Sequence, residues 1–370
     1  MPTQTPNAYV RYSDDIEVIQ PDEEEMTRKV TESMHRVNKM MFGQYRHAIR
    51  DAHAKSHGVI KGELQVYDNL PEHLAQGLFK TPKTYPVVIR FSTSFPAIQP
   101  DKKSFQRGMA IKVIGVEGKK FLPEDADALT QDFLLVNYPV IPTGTIKEYL
   151  NFQEQLEKAS KGPEFIQNIQ NHQQVLARKF KQLIGKEDDP NTFGMPGSNL
   201  LGDVYFSMAA IRYGDYIAKI SAAPLSQNVK ALHDKEMDEE MKEDPDDFIT
   251  NIVVDFFKGQ GAEYELRAQL CTDLEKMPVE DGSVQWPEDE SPYQPIGKIV
   301  IQPQDTFSHA RRVYGDDVLS FNPFHCLPEH RPLGNIMRVR RLVYETSSRF
   351  RHEANAQPRK EPTGIEEVPD

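Results

Sequence analysis

Apolar residues recur at spacings of three and four through Met26, Val30, Met34, Val37, Met41, Tyr45 and Ile49. That period marks one buried face of a long helix. Asp22, followed three residues later by Glu25, predicts a capping box at its start. The helix is expected to deliver Arg50 and His53 into a short polar link that closes at Gly58. Beyond it the pattern changes to short β-branched and alternating runs over 63–67, 85–93, 108–115 and 132–136. Prolines and glycines punctuate these runs, and only the 70–78 stretch between them has any helical period. An antiparallel sheet or barrel is therefore favoured over a parallel, doubly wound one.

Further along, Thr145 with Glu148 predicts a second capping box, ahead of Ile146, Tyr149, Leu150 and Leu156. A longer helix is expected over 165–184, carrying Ile169, Leu176, Phe180 and Leu183 and stopping at Gly185. Strands are expected over 204–208, 216–221, 264–271 and 298–302. Between them, 234–247 holds nine acids in fourteen residues and reads as a solvated surface element. A proline-marked stretch then leads to a helix-compatible segment, 337–351, with Arg338, Arg340, Arg341, Tyr344, Arg349 and Arg351. Residues 356–370 are polar with three prolines, and a disordered tail is expected there. No internal repeat is found.

Composition narrows the function classes. With 370 residues, 38% hydrophobic, the chain can bury a substantial core. A net charge of −12 argues against a nucleic-acid partner or an anionic membrane surface. Cys271 and Cys326 share no metal-like spacing, so buried or inert thiols are expected rather than a disulfide framework. No window approaches a membrane span, and the start of the chain lacks a basic cap and apolar run, so a cytoplasmic protein is expected.

The candidate chemistry begins at Arg50-Asp51-Ala52-His53-Ala54-Lys55-Ser56-His57-Gly58. His53 and His57 are spaced for one helix face, but no glutamate follows His53 and no third ligand is evident, so zinc is not expected. No Gly-x-Ser-x-Gly turn and no phosphate loop occur. At the other end, Arg340 lies four residues before Tyr344, which on a helix sets the guanidinium on the phenol's face. An ordinary phenol ionises near pH ~10. An adjacent arginine favours the phenolate, and an iron centre would favour it more. Arg351 follows two turns further on. The alternative is a surface helix with a packed tyrosine.

His53-Ala54-Lys55, Val88-Ile89-Arg90-Phe91-Ser92-Thr93, Arg107-Gly108-Met109-Ala110-Ile111-Lys112 and Arg340-x-x-x-Tyr344 together resemble the haem catalase family, in its order and at compatible separations. The resemblance spans roughly residues 46–352 and implies an α+β fold, a catalase-like antiparallel β-barrel with surrounding helices. It divides the chain into an arm (1–21), a haem-binding domain (22–355) and the tail. It also implies haem b (iron protoporphyrin IX) as cofactor, with Tyr344 as proximal ligand and Arg340 keeping it ionised. His53 would be the distal acid–base residue, oriented by Ser92, and Arg50, Arg90 and Arg351 would bind the propionates. The expected activity is catalase or peroxidase chemistry on hydrogen peroxide or organic hydroperoxides. A haem-dependent isomerase, lyase or dehydratase acting on a fatty-acid hydroperoxide is the alternative, and a haem carrier or sensor is a third. A homo-oligomer is compatible with the resemblance.

The chain departs from the family pattern in several places. Full catalases are longer. The distal asparagine has no clear counterpart: Leu129 or Thr130 falls near its place, with Gln131 beside it and Asn137 further along. Ile141 or Pro142 stands where an aromatic residue is expected, and Ala52 where a bulkier valine is usual. A distal pocket with a smaller floor would admit something larger than hydrogen peroxide.

Overall fold

The alternating segments form nine strands: β1 Lys55–Val66, β2 Thr84–Thr93, β3 Arg107–Ile114, β4 Thr130–Val136, β5 Tyr205–Phe206, β6 Ile211–Tyr213, β7 Tyr216–Pro224, β8 Ala262–Leu270 and β9 Gln294–Ile301. The structure is a computed structural model and describes residues 9–103, 105–162, 164–183, 199–233, 235 and 237–370. Hydrogen bonds order the strands β5-β4-β3-β2-β1-β9-β8-β7-β6, and β5 also pairs with β7. Eight strands thus close into a barrel, with β6 added to β7, and every pairing is antiparallel. The expected α+β barrel is what forms.

Strand alternation decides what the barrel hides and what it presents. Val87, Ile89 and Phe91 of β2 join Met109, Ile111 and Val113 of β3 and Phe133 and Leu135 of β4 in the interior core. The intervening residues lie on the outer face in two cross-strand rows, Arg90–Ala110–Leu134 and Ser92–Gly108–Val136.

The helices are α1 Glu23–Tyr45, α2 Ile146–Ala159, α3 Phe165–Leu183, α4 Gln227–Lys230, α5 Asp238–Glu243, α6 Phe248–Gly259, α7 His309–Val313 and α8 Asn335–Ala354. α1 packs against α2 and α8 through Met26, Val30, Met34, Ile146, Val339 and Val343. Asp22 makes no side-chain cap; Glu23 instead accepts from the Gln20 N–H at 3.4 Å, two residues out of the expected register. α1 stops at Tyr45 because Arg46 turns left-handed (φ 52°), so Ile49 lies beyond it. Thr145 caps α2 as expected, accepting from the Glu148 N–H at 3.4 Å. The stop at Gly185 and the side chains of Leu176 and Phe180 lie outside the described residues. α5, in the acidic stretch, buries none of its residues. Both cysteines are buried and unpaired. No helix among the described residues is long and apolar enough to cross a membrane.

Two expectations are corrected. The link through His57 is not a loop, because β1 begins at Lys55 and runs through it with a bulge at His57. The bulge turns His57 into the core, where its nitrogens meet Thr250 Oγ1 (3.0 Å) and Thr93 Oγ1 (2.7 Å). It is a satisfied core histidine that shares no site with His53. Nor is 356–370 a disordered tail. Val368 is buried beside Val59, Val88, Ile114 and Leu319. Glu361 reaches Lys112 Nζ at 2.5 Å, beside Asp132 at 2.7 Å. Composition argues for disorder, but Lys112 is buried on the outer face of β3 and the tail supplies its second counter-charge.

Asp132, His325 and Glu361 are close enough to share a cation. The Lys112 ammonium already fills that role. Burial opposes charge on both Lys112 and Glu361. Asp132 and then Glu361 outweigh it at Lys112 and lift the ammonium, while Lys112 and His325 hold Glu361 down at about 2. A carboxyl depressed by folding stabilises the fold above its ordinary value of 4.5, and that share is lost as pH falls towards about 2. Glu361→Gln is expected to destabilise the protein by about 3 kcal/mol at neutral pH, by stripping a buried charge of one partner. Denaturant titrations should show this deficit shrinking between pH 4.5 and about 2.

Candidate functional site

Arg340, Val343, Tyr344, Ser347, Ser348 and Arg351 follow one another at helical spacing, and this face of α8 lines a cavity. The opposing wall is the outer face of β2–β4, with short side chains at Ser92, Gly108 and Ala110. About 1160 Å³ of atom-free space lies between them, including the open mouth. That is the scale of a cofactor cleft. Arg50, His53, Arg90, Ser92, Arg340, Tyr344 and Arg351 all line it. The sequence singled out these seven, and the fold brings them together from the 46–54 link, β2 and α8.

His53 sits in the left-handed region (φ 55°), a costly backbone for a residue with a β-carbon and one that concentrates at functional sites. Its Nδ1 hydrogen-bonds Ser92 Oγ at 3.0 Å. Among the described residues no group pairs with Nε2. The ring lies directly over Gly108: a β-carbon there would come within 2.6 Å of Nδ1 and Cε1. Burial, then the charges of Arg90, Arg340 and Arg50, push the imidazole down to about 3, so it is neutral near pH 7.

At one end of the cavity three guanidinium groups converge on the short π-helix Tyr314–Val318. Arg50 donates to the carbonyls of Gly315 (2.7 Å) and Leu319 (2.6 Å). Arg351 donates to Asp316 O (2.6 Å) and Asp317 O (2.7 Å). Arg90 donates to His53 O (3.0 Å) and shares the Asp316 carboxylate with Arg50, at 3.0 and 3.3 Å. Arg90 Nε is buried with no partner. Burial and the neighbouring cations lower Arg50 well below its ordinary value, and the same two causes bring Arg351 down to about 10. Among the described residues Asp316 is the one carboxylate these three cations bond, Asp317 being paired with His47 at 2.7 Å, and the site favours an anionic ligand.

At the Tyr344 end, burial raises the phenol's pKa, while Arg340 one turn away lowers it and Asp51 raises it further. The phenolate expected from Arg340 alone is thus outweighed by burial. No carboxylate among the described residues pairs with Arg340, whose one hydrogen-bond contact is Met337 Sδ at 3.8 Å. A Lewis acid in the cavity would reverse the balance at Tyr344. A phenol and an imidazole lining one cleft, with uncompensated cations at its end, suit an anionic cofactor that carries a metal.

None of the residues weighed in the sequence as a counterpart of the family's distal amide lines the cavity. Thr130 bonds Glu361, Gln131 accepts from Leu327 N, and Asn137 holds Arg107 N and Asp203. Leu129 lies outside the lining altogether. The amide that does line it is Gln106, two positions before Gly108 on the same face, and its Nε2 is buried without a partner. Sequence spacing could have found it only once Gly108 was known to lie under His53.

The sequence matches no protein-family model and no curated protein. Solved structures match in shape. A fungal catalase aligns with a TM-score of 0.60 at 18% identity, over 88% of this chain and 67% of that one. Catalase A from Saccharomyces cerevisiae aligns with a TM-score of 0.60 at 17% identity, over 88% and 69%. A bacterial catalase aligns with a TM-score of 0.59 at 15% identity, over 98% and 68%. At these identities the likeness is one of fold, and the fold is catalase-like.

Gly108→Ala is expected to drive the His53 ring off its seat, break the Nδ1–Ser92 bond and cost about 1–3 kcal/mol through overpacking. Loss of the imidazole N–H resonance, with a lowered denaturation midpoint, would register both effects. An unchanged resonance would show that the ring does not rest on Gly108.

Proposed function

We propose that the cavity binds haem b and that the protein is a catalase-related haem enzyme acting on hydrogen peroxide or organic hydroperoxides. The observation that carries this reading is the meeting of seven residues, from segments almost three hundred positions apart, around one cleft in a catalase-like fold. Tyr344 would bind the iron as a phenolate, with Arg340 one turn away offsetting its charge. Arg50, Arg90 and Arg351 would take the two propionates, which supply the negative charge that end of the cleft lacks. When bound, haem would contribute a redox-active iron whose electronics the residue holding it would tune.

The chain's own part is to place and move a proton. His53 is neutral, so Nε2 can accept the proton of a bound hydroperoxide and return it to the leaving oxygen. Ser92 holds the opposite nitrogen and fixes the ring's orientation. Propionates at the arginines would offset the charges that depress His53 and make its imidazole a better base.

A second reading, isomerase, lyase or dehydratase activity on a larger organic hydroperoxide, is favoured by an apolar side chamber opening from the cavity. Oxygen release from hydrogen peroxide, compared with turnover of an organic hydroperoxide by the haem-loaded protein, separates the two. On the preferred substrate, His53→Ala is expected to lower the rate on the order of 10²–10⁴-fold. A rate unchanged by this substitution would contradict the acid–base role.

A further inference from the structure

The side chamber has features that binding of hydrogen peroxide does not explain. It adjoins the cavity through shared lining residues, among them Ala52, Ser94, Gln106 and Arg340. It holds about 830 Å³ of atom-free space, its open mouth included. Its far walls are apolar: Phe95, Phe105, Ile141, Pro142, Phe152 and Leu156. Set into them is Gln153 of α2, 0% exposed, with neither the oxygen nor the nitrogen of its amide finding a partner among the described residues. At the junction, Gln106 Nε2 is buried and likewise has no partner among the described residues.

A buried neutral amide without partners costs on the order of 1–3 kcal/mol, and native proteins seldom leave both ends of one side chain unpaired. Packing alone would be served better by leucine or methionine. A side-chain amide offers both a donor and an acceptor, so its natural partner is a neutral group that can do the same. Beyond the shared mouth, where Asp51 and Arg340 stand, the lining carries no charge. Ionic recognition is therefore confined to the cavity.

We infer that this chamber is a binding site for a neutral, mainly apolar organic molecule bearing a hydroxyl-type group, with Gln153 reading that group. As a ligand site it stands on the chamber's own geometry. Its use, to seat the body of an organic hydroperoxide while the peroxide end meets His53, rests on the haem reading above. Ala52 narrows the passage little, since its side chain at the junction is a single methyl.

The test is a calorimetric titration of the full chain, with and without haem, using 1-octanol and its methyl ether as probes. Octanol is expected to bind and the ether, which has no donor, to bind more weakly. Gln153→Leu is expected to weaken octanol ~10-fold or more, as a lost buried hydrogen-bond partner should, and to raise the melting temperature by removing an unpaired amide. Ala52→Leu, a second variant, should slow or block octanol entry. Octanol that fails to bind, or that binds Gln153→Leu as tightly as wild type, overturns the chamber site. Octanol binding that depends on Gln153 in a protein that takes up no haem upholds the site and removes its catalytic use.

Discussion

Three guanidinium groups meet at one short turn: Arg50 of the link after α1 and Arg351 of α8 on its carbonyls, and Arg90 of β2 on the Asp316 carboxylate. Burying so many like charges together is unfavourable unless each finds acceptors; Gly315, Asp316, Asp317 and Leu319 supply them to Arg50 and Arg351, and His53 O with the Asp316 carboxylate to Arg90. This contact ties the two ends of the domain to the barrel, so Tyr344 and His53 face the same space. The acceptors are mostly neutral carbonyls, and the Asp316 carboxylate is shared. The arrangement is folded but short of negative charge. It is therefore both the clasp of the fold and the reason an anionic ligand belongs there.

The same logic of burial set against charge runs through the site. His53 is kept neutral by burial and by the arginines. Tyr344 is kept protonated by burial despite Arg340. Both groups are held in the forms that a metal-bearing anionic ligand would alter, one through its negative charge and the other through its metal. The site occupies the outside of the barrel. There the alternation of β2–β4 leaves short side chains in register, and the missing β-carbon of Gly108 gives the imidazole its seat.

Much of this was legible in the chain. The apolar face of α1 and the β-branched run of β2 declare themselves by period, and α8 carries its arginines and Tyr344 at helical spacing. What escaped has identifiable causes. Lys55, Ser56 and His57 look like a loop because they are polar, yet they extend β1: Lys55 is paired with Asp101 and His57 with two threonines. α6 went unnoticed behind the acids that precede it. The tail looks disordered by composition, and its order depends on Lys112, which no local pattern reveals as buried. Gln106 and Gln153 carry no sequence signal, since an unpartnered amide is a property of the packed chain alone.

The most direct measurement of the central claim is a visible absorption titration of the purified protein with haem, repeated on Tyr344→Phe. The account predicts saturable uptake with a sharp Soret band, and a band altered in position and intensity when the phenol oxygen is removed. No uptake, or an identical spectrum in the variant, would contradict it.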